Sequence, residues 1–380
     1  MYSINGYGDM IADSVRMEAY VCALRAAVKP GAVVVDIGTG TGIFALIACQ
    51  LGARRVYAIE PGDAIAVGRE IARANGYAET IEFIQGLSTR ITLPERADVI
   101  VSDLRGVLPL CTGHLPAIAD ARARFLAPAG ALIPRRDTLW LACVEAPEAY
   151  AHIAGPWFDG AYGLNLRAAF DMVTNTWERA SVRPEQLVSA PQLLGVIDYT
   201  TVASPDFAAT VRLAVTRAAT THGLCAWFDA TLAEGIEFSN APGQPEAIYG
   251  KAFFPWSEPV ALQPGDEVIV TLKADLVGED YLWSWATRIA DAAGRARAEF
   301  HQSSFFGEPL APAQLRKQSA AHVATLNDDG LIAQESLRMM QEGAALGDIA
   351  RHLAQRFPGR FATWQNALSH VGELSARYSR

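Results

Sequence analysis

Cysteine is scarce and scattered in this chain, with five among 380 residues, at positions 22, 49, 111, 143 and 225. An odd number of widely spaced thiols, mostly in apolar runs, excludes a disulfide scaffold and reads as buried cysteine in a reducing compartment. There is no Cys-x-x-Cys pair and no histidine-rich cluster, so no structural metal is expected. Long apolar runs are also missing, and the N-terminus has no basic segment leading into an apolar core, so a soluble, cytoplasmic protein is expected. Basic residues are outnumbered, 32 Lys and Arg against 41 Asp and Glu, for a formal charge of -9. That balance leaves nothing with which to neutralise a nucleic-acid backbone or an anionic membrane, and neither is expected as a partner. Tandem repeats and low-complexity tracts are absent.

What is present is a chain with 51% hydrophobic residues, long enough for two or three cored units. From Ala32 to about Ile133, short β-branched runs alternate with helical stretches, the pattern of a parallel sheet with crossover helices. The strands are expected at Ala32–Ile37, Arg55–Ile59, Thr80–Ile84 and Asp98–Ser102. Helices are expected at Gly42–Leu51 and Asp63–Asn75, the second ending on an Asn-Gly pair suited to a left-handed cap. After Pro134 the pattern becomes that of an antiparallel β domain, with strands at Thr138–Val144, Gln192–Tyr199, Thr210–Ala218, Cys225–Leu232 and Glu267–Leu276. Phe253, Phe254, Trp256, Trp283 and Trp285 recur at alternating spacing, which suits packing more than the lining of a cleft. A linker near Glu308 leads to a third region. There, Asn-Asp-Asp-Gly within Val323–Ala333 signals a hairpin. Two amphipathic helices follow, striped by Leu346, Ile349, Leu353 and Phe357, then by Phe361, Trp364, Leu368, Val371, Leu374 and Tyr378.

The strongest motif is Val33-Val-Val-Asp-Ile-Gly-Thr-Gly-Thr-Gly42, a strand that runs into glycines 38, 40 and 42 and then into a helix. Glycine lets a ligand approach the turn closely, and the following helix N-terminus offers unpaired N–H donors. Glu60 ends the second strand about 20 residues past the glycines, where a carboxylate can accept both hydroxyls of an adenosine ribose. The spacing is G-x-G-x-G, not G-x-G-x-x-G, and Asp36 precedes it inside the strand. Both details favour an S-adenosylmethionine site over a dinucleotide site. Ser88, just past the third strand, is a further cofactor-binding candidate.

Beyond this motif, Met10-Ile-Ala-Asp-Ser-Val-Arg-Met-Glu-Ala-Tyr20 resembles the N-terminal helix of the protein arginine methyltransferases, Met-x-x-Asp-x-x-Arg-x-x-x-Tyr. Gly130-Ala-Leu-Ile-Pro134, Trp157, Tyr162-Gly-Leu164, His222-Gly-Leu-Cys-Ala-Trp-Phe-Asp229 and Pro264-Gly-Asp-Glu267 are similar to the same family's passage through its second domain. The resemblance covers roughly residues 2 to 305. It implies an α/β fold with a doubly wound, Rossmann-like methyltransferase domain in 1–133 and an antiparallel, β-barrel-like domain in 134–307. Residues 308–380 form a linker and a small winged-helix-like module, loosely similar to modules that hold leader peptides in peptide-modifying enzymes. By the resemblance Arg16 pairs with the cofactor carboxylate, a contact that suits a guanidinium. It also implies a homodimer, with an arm from residues 165–190 carrying Phe170, Met172, Val173 and Trp177.

The sequence departs from that family where a substrate would sit. The family's guanidinium clamp has two glutamates; here Asp103 takes the first position and Thr112 the second, and the family's Thr-His-Trp loop is replaced within Glu246–Lys251. Asp103 and His114 are the candidate general bases for an imidazole, amide, amine or carboxyl acceptor, with Tyr7 and Arg105 as substrate-side candidates. Three functions fit: methylation of a peptide or protein side chain, methylation of a free small molecule, or a cofactor-binding scaffold without turnover.

Overall fold

The computed structural model describes residues 3–158 and 161–379, and the chain divides into two compact units, Met1–Pro309 and Leu310–Arg380. The first unit opens with helices α1 (Ile4–Ala12) and α2 (Ser14–Ala27). Strands β1 (Val33–Ile37), β2 (Arg55–Glu60), β3 (Ile81–Gln85), β4 (Ala97–Ser102) and β5 (Leu126–Ile133) then form a parallel sheet in the order β3-β2-β1-β4-β5. All five residues of β1 are buried, as expected of a central parallel strand covered on both faces. The crossovers are α3 (Ile43–Gln50) and α4 (Ala64–Ala74), and α5 (His114–Arg124) precedes β5. Helix α4 stops at Asn75-Gly76, with Gly76 at φ +78°, a conformation open to glycine at little steric cost. Tyr20 of α2 is fully buried and stacks on Phe44 of α3 at 4.5 Å.

The rest of this unit is antiparallel. Its strands are β6 (Arg136–Val144), β7 (Glu178–Ala180), β8 (Gln192–Asp198), β9 (Phe207–Ala214), β10 (Ala219–Ala233), β11 (Ile236–Ser239), β12 (Lys251–Leu262), β13 (Glu267–Val277), β14 (Asp280–Ala290) and β15 (Ala296–Ser303). One sheet runs β7-β12-β10-β6-β8, with β11 on β10, and the other β15-β14-β13-β9. Pro255 lies inside β12 where the pairing with β10 slips between Thr221 and Gly223, a bulge being one of the few places a sheet accepts proline. Gly223 is required there, because a Cβ would meet the Phe254 carbonyl at 2.2 Å. Phe253, Phe254, Trp256, Trp283 and Trp285 are all buried core residues; full burial of one such side chain contributes roughly 1.5–3 kcal/mol.

Two short helices, α6 (Pro147–Ala154) and α7 (Arg167–Val173), lie between β6 and β7. Of the side chains expected on an intersubunit arm, Phe170 is buried in this chain and Trp177 packs edge-on to Trp283 at 5.7 Å. Large exposed apolar residues occur earlier instead, at Trp157, Phe158, Tyr162 and Leu164.

The second unit corrects one expectation. It contains α8 (Pro312–Lys317), α9 (Asp328–Gln341), α10 (Leu346–Arg356) and α11 (Trp364–Tyr378), and no strand among the described residues. The Asn-Asp-Asp-Gly segment is not a hairpin turn, so the winged-helix expectation loses its wing. Asn327 caps α9, its side chain accepting from the Gly330 N–H at 2.9 Å. Asp328 and Asp329 occupy the first turn, where the helix dipole favours acids. The two helices expected after it are present, and Ile349, Leu353, Phe361 and Val371 join Ile332 in a separate core.

Candidate functional site

The site is assembled at the carboxyl ends of β1, β2 and β4, where the chain leaves the sheet. In β1, Asp36 is fully buried. Its Oδ2 accepts from the Thr39 hydroxyl at 2.5 Å and from the Ala45 N–H at 3.1 Å, while Oδ1 has no partner. Burial pushes its carboxyl up to about 7, against those two hydrogen bonds and with help from the charge of Glu60. Gly38, Gly40 and Gly42 all have positive φ. Two of them are closely covered, since a Cβ on Gly38 would lie 2.4 Å from Leu104 and one on Gly40 would lie 2.3 Å from the Tyr7 ring. Tyr7 of α1 therefore lies over the turn.

Glu60 ends β2, and its carboxylate accepts from the Gly40 N–H at 3.0 Å and the Gly62 N–H at 2.8 Å. A carboxylate has about four acceptor directions, so capacity remains for the two hydroxyls of a ribose. Together the Cβ-free turn, the unpartnered Asp36 Oδ1 and the buried Glu60 fit an adenosine-type cofactor. Ser88 is also buried, in a short 3-10 turn after β3.

Arg16 reaches the site from α2. Asp13 orients it: this residue caps α2 by accepting from the Arg16 N–H at 3.1 Å, and its other oxygen accepts from the Ile248 N–H at 2.7 Å. The Arg16 Nε donates to Asp103 Oδ2 at 2.5 Å, and the guanidinium lies over the Tyr20 and Phe44 rings. Asp103, at the end of β4, also accepts from the Tyr249 hydroxyl at 2.6 Å and from Arg105 Nη1 at 3.0 Å. Burial alone would raise the Asp103 carboxyl, but the charges of Arg16 and Arg105 outweigh it and hold the carboxyl below its usual range.

Arg105 and His114 lie deeper than a substrate-facing position at the mouth of the sheet would require. The Arg105 side chain is wholly buried, with Nε on Asp137 Oδ2 at 2.7 Å and Nη1 on the Tyr20 hydroxyl at 3.0 Å. His114 begins α5 and is buried against Tyr199, with ring centroids 5.2 Å apart. Its Nδ1 lies 3.0 Å from the Pro109 carbonyl, which only an N–H can satisfy, so Nε2 is the unprotonated nitrogen and has no partner. Burial, reinforced by Arg105, lowers its pKa to about 4, and the ring is neutral at pH 7. Thr112 is exposed, at φ +36°, and supplies no second acid.

Sequence reasoning thus picked out Arg16, Asp36, Glu60, Asp103 and the glycines, and the structure brings them together. It missed Asp13, although the residue stands in the N-terminal motif, and it missed Tyr249, Asp137 and Tyr199. The last of these donates its hydroxyl to Asp137.

Comparison with known proteins agrees with this architecture. Residues 135–278 match the family model described as Arginine methyltransferase oligomerization subdomain, and residues 18–130 match that of Ribosomal protein L11 methyltransferase (PrmA). The chain is 30% identical to probable protein arginine N-methyltransferase 6 of Arabidopsis thaliana, over 62% of this chain and 55% of that protein. It is 29% identical to protein arginine N-methyltransferase 1 of Chlamydomonas reinhardtii, over 69% and 77% of the two chains. Among solved structures, Arabidopsis thaliana protein arginine methyltransferase 10 superposes with a TM-score of 0.70 at 24% identity, covering 80% of this chain and 98% of that one. A Trypanosoma brucei PRMT1 enzyme-prozyme heterotetrameric complex with AdoHcy gives 0.71 at 21% identity, covering 78% and 97%. The fold is that of a class I methyltransferase. Within that class the chain is protein arginine methyltransferase-like, a parallel sheet domain followed by the antiparallel subdomain.

Proposed function

We propose that the protein transfers the methyl group of S-adenosylmethionine to a nitrogen of a peptide or protein side chain other than a guanidinium. The cofactor, when bound, supplies a methyl group already activated by its sulfonium, so the chain has mainly to position the acceptor. In this reading Glu60 holds the ribose hydroxyls, the glycine turn and Ser88 flank the nucleoside, Arg16 holds the carboxylate and Asp36 orders the amino-acid end. Tyr7 covers the turn. The observation behind the choice of acceptor is the occupation of Asp103: both of its oxygens are engaged, by Arg16, Tyr249 and Arg105, and Thr112 stands where a second acid would be. A guanidinium would meet a carboxylate whose charge is already balanced by Arg16 and Arg105, with no second acid at position 112 to share it. Asp103, held ionised, orients groups rather than storing a proton, and His114, buried and with its basicity lowered by burial and by Arg105, does not serve as the general base.

The same proposal includes a homodimer built on the antiparallel subdomain, with Trp157, Phe158, Tyr162 and Leu164 as its apolar contact. A concentration-independent monomer in sedimentation velocity would refute it. A cytoplasmic setting rests on five cysteines that are all unpaired. Among the described residues, no helix is long and apolar enough to cross a membrane.

The test has two stages. Calorimetry with S-adenosylhomocysteine should show binding that is lost in Glu60→Ala. Transfer from tritiated S-adenosylmethionine is then scored on otherwise identical peptides carrying His, Asn, Gln, Lys or Arg. Label on a neutral side chain and none on Arg supports the proposal. Label on Arg overturns the acceptor assignment, and binding without any label favours the scaffold reading.

A further inference from the structure

The segment after β4 determines where Arg105 must go. Leu104 packs beneath Gly38, and Arg105 enters the interior, where its side chain has no exposed surface. There its guanidinium meets Asp137 Oδ2 at 2.7 Å, Asp103 Oδ1 at 3.0 Å and the Tyr20 hydroxyl at 3.0 Å. The rings of Phe228 and Phe238 lie 5.5 and 5.6 Å from its central carbon. Two carboxylates, a phenol and two aromatic faces are what a protein uses to hold a guanidinium. This chain fills such a cage with an arginine of its own.

The charges balance as a result. Arg16, Asp103, Arg105 and Asp137 form one continuous chain of ion pairs, two cations and two anions, each side chain at most 6% exposed. A cationic acceptor would have to shed its water without gaining a counter-charge, which is costly in a buried site. A neutral nitrogen has no such penalty.

We infer that Arg105 is the residue that sets acceptor specificity: by occupying Asp103 Oδ1 it excludes guanidinium and ammonium groups and restricts the site to neutral nitrogen acceptors such as imidazole or amide. Asp137 is its positioning residue, delivered from β6 of the antiparallel part. The inference rests on the methyl-transfer reading above.

The experiment compares an arginine peptide with a histidine peptide of otherwise identical sequence, using the full chain. Removing the pair together avoids a stranded charge, so the variants are R105Q/D137N and R105M/D137L; whichever keeps the wild-type circular dichroism and binds S-adenosylhomocysteine within threefold of wild type is used. The ratio of kcat/KM for the arginine peptide over that for the histidine peptide should rise at least tenfold, a change that a merely structural role would not produce. Arg105→Lys, which keeps the charge, should leave the ratio low. An unchanged ratio in a folded, cofactor-binding neutral variant overturns the role of Arg105 alone. Label on the arginine peptide with wild-type protein overturns the acceptor reading and this inference together. If wild type binds cofactor and labels nothing, the reading as an enzyme falls, and calorimetric titration of the arginine peptide in the presence of S-adenosylhomocysteine decides: a tenfold gain in affinity in the neutral variant supports the inference, and no gain overturns it.

Discussion

Arg105 and Asp137 are joined Nε to Oδ2 at 2.7 Å with neither side chain exposed to solvent, and they come from opposite sides of the boundary between the parallel sheet and the antiparallel strands. A buried pair of this kind stabilises little in net terms, because desolvation offsets most of the attraction. Breaking it is another matter. Burial disfavours the Asp137 charge and raises its carboxyl pKa, with Arg105 opposing that shift.

The two residues should therefore be strongly coupled. Asp137→Ala alone leaves Arg105 with Asp103 as its remaining anion, already shared with Arg16, and should cost about 3–5 kcal/mol of unfolding free energy. The R105M/D137L pair should cost much less than the sum of the single changes. Urea unfolding of the four proteins in a double-mutant cycle measures this, and additivity would mean that the pair contributes no interaction of its own.

Asp36 has its folded pKa raised from 3.8 to about 7, so native protein keeps a proton that unfolded chain has lost, and this residue costs stability as pH rises through that window. His114 has its folded pKa lowered from 6.5 to about 4, so unfolded chain takes up a proton that native protein refuses, and this residue costs stability as pH falls from 6.5 toward 4. At pH 5.5 the two effects oppose. Asp36→Asn should expose a loss of up to about 3 kcal/mol between pH 7 and 4, at roughly 1.4 kcal/mol for each tenfold change in proton affinity. His114→Gln should expose the reverse slope. Denaturant midpoints at pH 7, 5.5 and 4 check both, and equal slopes in the two variants would refute the assignment.

Much of this site was legible in sequence because the chemistry is local. Asp36, the three glycines and Glu60 lie within 25 consecutive residues, and strand, turn and helix are forced by β-branched residues and by glycine. Arg16 was legible through the resemblance of its helix. Arg105 was not, because whether an arginine after β4 faces solvent or interior depends on Asp137, which lies 32 residues further on, and on the rings of Phe228 and Phe238. Tyr249 gave no signal at all, since a phenol reaching a carboxylate 146 residues away follows no spacing rule. Strands β12 and β14 are signalled in the sequence only by the alternating aromatics Phe253, Phe254, Trp256, Trp283 and Trp285, and β15 carries no such signal: Pro255 and Pro259 interrupt the first, and the alternation of the others is carried by few aliphatic residues. Asn-Asp-Asp-Gly misled because asparagine serves equally well in a turn and as a helix cap.

Cofactor binding should be linked to protons through Asp36. Its carboxyl is near half-protonated at pH 7, and a cationic amino group placed near its unpartnered Oδ1 would favour the ionised form. Binding of S-adenosylhomocysteine at pH 7 should release about half a proton from this residue. Calorimetry in buffers of different ionisation enthalpy measures that release, which should shrink by pH 8.5 and disappear in Asp36→Asn. Proton uptake, or a release unchanged in the variant, would separate Asp36 from the amino-acid end of the cofactor.

The unit Leu310–Arg380 has a core of its own, with Ile332, Ile349, Leu353, Phe361 and Val371. A protein shortened to Met1–Pro309 should bind S-adenosylhomocysteine with unchanged affinity and unfold cooperatively. If the unit delivers a peptide, transfer to a peptide acceptor should fall at least tenfold through KM, because a tethered substrate gains effective concentration that a free one lacks. Transfer to a free imidazole compound at saturation should change little. Equal losses on both acceptors would make the unit a support for the core, and equal retention would exclude it from substrate capture.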